Sequence, residues 1–215
     1  MDEVPRRGDP GGLLHPADEL HGQGAVDASA GGAAPHRADA SRMAGAPHAA
    51  GAGGDLGGPA WDAAWPHGVE PRAFVPGDEE VFYDLHQETF RDTWEPIEET
   101  YDEWAHQFLV PEVLAPAHWT LAVAGDEPAG FAMCHPHAVD SGLGWVRVLG
   151  VRSRFRGRGL GRALLLHAFT EFRRQGLARA GLGVDSESPT GANKLYESVG
   201  MHVSARFAIH EKGAT

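Results

Sequence analysis

Residues 144–184 constrain the fold more than any other stretch of this chain. An apolar run at 145–151, Trp-Val-Arg-Val-Leu-Gly-Val, is rich in β-branched and aromatic residues and ends in a polar turn punctuated by glycine, so it predicts a buried strand. A helix must follow. Leu160, Leu164, Ala168 and Phe172 recur at every fourth place, Ala163, Leu165 and Phe169 widen the stripe toward a core, and Gly176 stops it. A second strand is predicted at 179–184.

Between the first strand and the helix, Gly157, Gly159 and Gly161 leave the backbone bare where the helix begins. Unpaired N–H groups there point outward, with the positive end of the helix dipole behind them. Such a turn suits phosphate oxygens. Arg152, Arg154, Arg156, Arg158 and Arg162 crowd the same loop in a chain of net charge −12, which points to an anionic ligand. A bland reading, a glycine turn with solvated arginines, competes with it. A Rossmann-type dinucleotide site would use the same strand, loop and helix with Asp185 as ribose acid, but Arg162 stands where the third glycine of Gly-x-Gly-x-x-Gly belongs.

Arg154-Phe155-Arg156-Gly157-Arg158-Gly159 fits the Arg/Gln-x-x-Gly-x-Gly/Ala signature of the GCN5-related N-acetyltransferases (GNATs), and the chain resembles that family over roughly residues 67–212. The resemblance implies a GNAT fold of mixed α/β (α+β) class. A central, largely antiparallel twisted sheet of six or seven strands would be flanked by about four helices. It implies acetyl-coenzyme A as cosubstrate, with the pyrophosphate held by Arg154, Arg156, Gly157, Arg158, Gly159, Leu160, Gly161 and Arg162. It also implies an oxyanion held by backbone groups of Leu149-Gly150-Val151, and a pantetheine contact at Ser188, where many relatives carry Asn.

Leu195-Tyr196-Glu197 followed by Gly200-Met201 resembles the family's Leu-Tyr-Glu…Gly-Phe element, whose tyrosine faces the coenzyme sulfur. Transfer from a thioester expels a thiolate of pKa about 8 to 9, which a phenol of pKa about 10 can protonate, so Tyr196 is the expected general acid. A tyrosine that only packs is the alternative. Asp140, Asp185, Glu187, His135 and His137 are candidates for the base, none specific. The mycothiol synthases, which the chain resembles from Gly142-Leu143-Gly144 onward, have Glu where this chain has Trp145, which argues against mycothiol synthase activity. The absence of an obvious base also keeps a non-catalytic acetyl-coenzyme A sensor in view.

Residues 1–60 hold no Phe, Tyr, Trp or Ile, and such a segment cannot bury enough apolar surface to offset its ordering entropy. Composition therefore divides the chain into a disordered, Ala/Gly/Pro/His-rich tail at 1–66 and an acetyltransferase domain at 67–215. His15, His21, His36 and His48 are too irregularly spaced for a zinc motif, and no metal is expected. A lone Cys134 excludes an internal disulfide and reads as a core thiol. Met1 is followed by no signal peptide or membrane span, which together suggest the cytoplasm. The acidic balance argues against nucleic acid.

Order is expected to begin near Trp61 to Pro71, with a first strand at 69–74 and a helix N-capped by Asp78 carrying Val81, Phe82, Leu85 and Phe90. A second helix is predicted from Ile97 or Glu98 to Phe108. Acidic residues dominate both. They read as solvated faces or as a field drawing a cationic amine. Residues 119–124 and 129–135 form a hairpin around Gly125-Asp126-Glu127, and Ser188-Pro189 opens the tyrosine helix. At the end, 201–212 reads as a single strand by its period of two, although the family finishes with a hairpin of two. Its partner strand is then missing, or comes from a second subunit in a homodimer, unless the one strand is long and bends.

Overall fold

The computed structural model describes residues 49–57, 61–91, 99–109, 118–137, 142–185 and 192–207, all within one compact unit spanning 32–215. Seven strands form a single sheet: β1 (Ala49–Asp55), β2 (Val69–Ala73), β3 (Trp119–Ala124), β4 (Glu127–His137), β5 (Leu143–Val151), β6 (Arg179–Asp185) and β7 (His202–Phe207). Among the described residues four α-helices join them: α1 (Glu79–Phe90), α2 (Tyr101–Phe108), α3 (Leu160–Arg174) and α4 (Ala192–Ser198). The strand order is β2-β3-β4-β5-β6-β1-β7, and every pairing is antiparallel except β5 with β6. The fold is therefore the mixed α/β arrangement expected.

Side-chain alternation along the strands splits the core between the two faces of the sheet. On one face Phe82 and Leu85 of α1 and Trp104 and Phe108 of α2 pack on Leu121, Phe131, Met133 and Val148. On the other, the apolar stripe of α3 packs on Ala122, Ala132, Cys134 and Val146. Val146 and Val148 are two residues apart on one strand and yet face opposite ways. The register explains this: Cys134 pairs with Val146 and Met133 with Val148, so Arg147 is an extra residue, a β-bulge in β5.

Two close approaches depend on glycine. A side-chain carbon on Gly144 would lie 2.4–2.6 Å from three ring atoms of Phe172, so α3 sits directly on the backbone of β5. Gly144→Ala should force Phe172 off its rotamer and cost about 1–3 kcal/mol, read as a lower denaturant midpoint at unchanged slope. Gly181 is similarly covered, by the indole of Trp145 at 2.8 Å.

Several expectations change in detail. Asp78 is the N-cap of α1 by position, yet its carboxylate accepts from Val75 N (2.8 Å) and from Arg72 Nη1 and Nη2 (2.8 and 2.9 Å), leaving the helix amides uncapped. That guanidinium holds the Asp78 carboxyl below its ordinary range. Helix α2 starts at Tyr101, later than predicted, behind a capping box in which Glu103 N donates to Thr100 Oγ1 and Thr100 N to Glu103 Oε2. Strand β1 lies inside the segment that composition set aside as tail. It pairs with β7, for which the sequence alone allows a missing partner, one from another subunit, or a bend in a single long strand. Residues 1–48, 186–191 (with Ser188) and 208–215 lie outside the described residues.

Burial pushes the Cys134 thiol up, as fits a core thiol. Among the described residues no group of three His, Cys, Asp or Glu is placed to hold a metal, and no helix is long and apolar enough to cross a membrane.

Candidate active site

The site begins where the sheet parts. Strands β5 and β6 pair in parallel only from Leu143↔Arg179 to Val146↔Leu182, and the bulge at Arg147 comes next. Beyond it β6 continues with β1, whereas the edge of β5 from Val148 to Val151 has no strand partner on that side among the described residues. Backbone N–H and C=O groups on such an edge are open to a ligand. The gap lies at the carboxyl ends of two parallel strands, where open α/β sheets commonly bind ligands.

Directly after β5, a 3-10 turn at Ser153–Phe155 leads to Gly157 (φ 71°) and Gly159 (φ 84°). Both have a left-handed backbone, and a side chain added at either would meet nothing within 4 Å, so the turn is open above its glycines. Gly159 is the N-cap of α3 and has no side chain to cap it. The first intrahelical bond runs from Ala163 N to Gly159 O at 3.0 Å. The amides of Leu160, Gly161 and Arg162 precede it and are free to face an anion.

The five arginines divide. Arg152 donates from Nε to Glu88 Oε2 (2.8 Å) and from Nη1 to Pro128 O (2.8 Å) and Glu127 Oε1 (3.4 Å). Arg154 pairs with Glu127. Arg156 donates from Nε to Val151 O (2.9 Å) and from Nη2 to Thr89 O (3.0 Å), near the end of α1. These three lash the turn to α1 and to the β3–β4 hairpin. Only Arg158 and Arg162 are exposed without a hydrogen bond or ion pair among the described residues, and Arg158 lines a recess with His67, Phe155 and Leu160. Arg154 and Arg156, exposed at the turn, hold these protein contacts in this structure.

Gly150 is covered rather than open. A side chain on it would meet Phe131 Cε1 and Thr89 Oγ1, each at 2.5 Å, so Gly150 lets α1 close on β5. Leu149 and Val151 face the other way. A carbon added at Gly161 would lie 3.4 Å from Leu195 Cδ2, 3.8 Å from Val151 Cγ2 and 3.9 Å from Leu149 Cδ2. The first turn of α3, the unpaired edge of β5 and the helix bearing Tyr196 therefore meet at one point.

Tyr196 is partly buried against the core, and burial pushes its phenol up to about 12. Its carbonyl accepts from Met201 N at 3.1 Å, closing the turn into β7. Of the base candidates, His135 is buried on β4 opposite Trp145. Asp140 and Glu187 lie outside the described residues, as do the side chains of His137 and Asp185.

Much of the acidic run is used structurally. Asp78, Glu88 and Glu99 pair with Arg72, Arg152 and His86, Glu79 accepts from Gly77 N, and Glu103 closes the capping box. Glu80, Asp84 and Asp102 remain exposed.

The profile of the acetyltransferase (GNAT) family matches residues 80–201. The chain belongs to the GNAT family. That family's cosubstrate is acetyl-coenzyme A, and the glycine turn and sheet opening fall within the matched GNAT region. A mycothiol acetyltransferase of Thermobispora bispora is 38% identical over 141 residues, covering 63% of this chain and 47% of the relative. One from Streptomyces scabiei is 35% identical over 137 residues, covering 63% and 44%. Among solved structures, a GCN5-related N-acetyltransferase from Sphaerobacter thermophilus matches with a TM-score of 0.65 at 35% identity, over 75% of this chain and 50% of that one. This GNAT chain spans about half the length of the curated relatives it matches.

Proposed function

We propose that this protein is an acetyl-coenzyme A-dependent N-acetyltransferase that acetylates a primary amine by direct attack, with Tyr196 as general acid. The observation that carries the reading is the meeting of three parts: the unpaired edge of β5, the uncapped first turn of α3 and the tyrosine helix, joined through Gly161, Leu149, Val151 and Leu195. The residues fit the cosubstrate. Amides at 160–162 and the bare glycines 157 and 159 suit the diphosphate, Arg158 and Arg162 add charge, and the β5 edge offers amides to the acyl oxygen. Ser188 remains the proposed pantetheine contact.

Acetyl-coenzyme A supplies a thioester, an acyl donor whose leaving group is a thiolate. The amine nitrogen forms the new bond to the acyl carbon as the carbon–sulfur bond breaks. Tyr196 gives its proton to the departing sulfur, and the amine's proton passes to a base or to water. With its phenol raised to about 12, Tyr196 is protonated throughout the neutral range. Exposed Glu80, Asp84 and Asp102 on α1 and α2 favour a cationic acceptor by long-range attraction. A cytoplasmic setting suits such an acceptor.

The relatives' acceptor does not follow from their names. Trp145, where the resemblance to mycothiol synthases implies a Glu, covers Gly181 with its indole. That same feature favours the second reading, a sensor that binds acetyl-coenzyme A without turnover. Thiol release from acetyl-coenzyme A with a panel of amines, beside calorimetry of coenzyme A binding, decides between them. Amine-dependent thiol release is expected; binding with no release from any amine would establish the sensor, and no binding would overturn both.

A further inference from the structure

Among the described residues strand β7 reaches the sheet through β1 alone, since β1 stands between β6 and β7. β1 pairs with β6 along its whole length, from Ala49↔Asp185 to Asp55↔Arg179, and with β7 from Ala49↔Phe207 to Gly53↔His202. Past Leu182, where β6 has left β5, β1 is the neighbour that keeps β6 in the sheet. β1 also touches the end of the tyrosine helix. A carbon added at Gly54 would lie 3.5 Å from Gly200 O and 3.7 Å from Met201 Cα, and Met201 N donates to Tyr196 O at 3.1 Å.

The glycine turn, by contrast, is built without β1. β5 takes its ladder from β4, and Arg152, Arg154 and Arg156 tie the turn to α1 and to the β3–β4 hairpin. One half of the site thus stands on β4, β5 and α3, and the other depends on an inserted strand of sequence Ala-Ala-Gly-Ala-Gly-Gly-Asp. Among its described side chains Ala52 is buried, as is Leu56 just beyond the strand, and Leu56 N donates to Ala178 O at 2.8 Å.

We infer that β1 is a positioning element for the transfer reaction: through β7 and the turn at 200–201 it sets Tyr196 against the unpaired edge of β5, while the diphosphate turn forms independently of it. This inference rests on the proposed acetyltransferase reading. It predicts that damage to β1 separates turnover from coenzyme binding, because a misplaced donor slows chemistry whereas the phosphate contacts persist.

The test uses the full chain with Gly53→Pro, which removes a ladder N–H from a strand paired on both sides, and Gly53→Ala as the conservative control. For the proline variant kcat should fall about 100-fold while coenzyme A affinity changes by less than about threefold, a misplacement of about 1 Å being enough for the former. Amide hydrogen exchange should quicken across 192–207 and stay slow across 143–174. The alanine variant, which keeps the ladder N–H that proline removes, should keep kcat within about twofold of wild type.

Unchanged kcat in Gly53→Pro overturns the inference. So does a parallel loss of coenzyme affinity and of protection across 143–174, because β1 would then be a general stabilising strand. If wild type itself releases no thiol, the transferase reading falls by its own test, and the exchange pattern alone then decides whether β1 holds the tyrosine helix separately from the turn.

Discussion

Gly159→Asp should abolish coenzyme A binding, lowering affinity at least about 100-fold, with the fold intact. Gly159 caps α3 with φ 84° and nothing stands within 4 Å of where its side chain would begin, so bulk alone displaces no neighbour. Asp is among the residues that tolerate left-handed backbone, which keeps the strain near 1 kcal/mol. The charge is what matters. A carboxylate about 4 Å from a phosphate oxygen costs about 4 kcal/mol at the effective dielectric of a protein surface, roughly a thousandfold before screening by salt. Gly159→Asn has nearly the same shape and backbone tolerance without the charge, and should lose about tenfold or less. Calorimetry on both variants, with thermal melting as the control on folding, reads the difference. Equal affinities for the two would show that no diphosphate sits above this turn.

What was legible in the sequence, and what was not, follows from the range of the interactions. The β5 strand, the glycine turn and α3 show in sequence because their signals are local: a run of β-branched residues, glycines where side chains must be absent, and a stripe at helical spacing. The tyrosine helix follows from the same kind of pattern. The arginines' protein contacts are hidden for the converse reason. Glu88 and the carbonyl of Thr89, which take Arg152 and Arg156, lie 64 and 67 residues away, so these contacts involve partners that no local window contains.

Strand β1 is hidden more deeply. Ala and Gly carry little β propensity, and this stretch is a strand because β6 and β7 offer it two ladders. The bulge at Arg147 is likewise a property of register, visible only once Cys134 is opposite Val146 and Met133 opposite Val148. Yet that bulge marks the point where β5 and β6 separate and the site opens. Thr100-x-x-Glu103 is the opposite case, a capping box written plainly in the sequence that would have placed the start of α2 correctly.

Tyr196→Phe should lower kcat about 100-fold while leaving coenzyme A affinity within about threefold of wild type, the lower end of the range for losing a positioned general acid. The ring stays and only the hydroxyl goes, so the packing of α4 against the core and the placing of Leu195 beside Gly161 should survive. The pH dependence adds an independent check. Burial raises the phenol to about 12 by disfavouring the phenolate, so the folded state has the higher pKa. A raised pKa contributes stability that is fully present below the unfolded value, about 10, and is lost as pH climbs toward about 12. Wild type should therefore lose stability across that alkaline window more steeply than the phenylalanine variant, which has no proton to give up there. Between pH 6 and 9 the rate of the wild type should show no limb from this tyrosine, because its proton stays in place. A Tyr196→Phe enzyme as fast as wild type would remove Tyr196 from the chemistry. A rate loss matched by a coenzyme loss of the same size would make it a wall of the binding site rather than a proton donor.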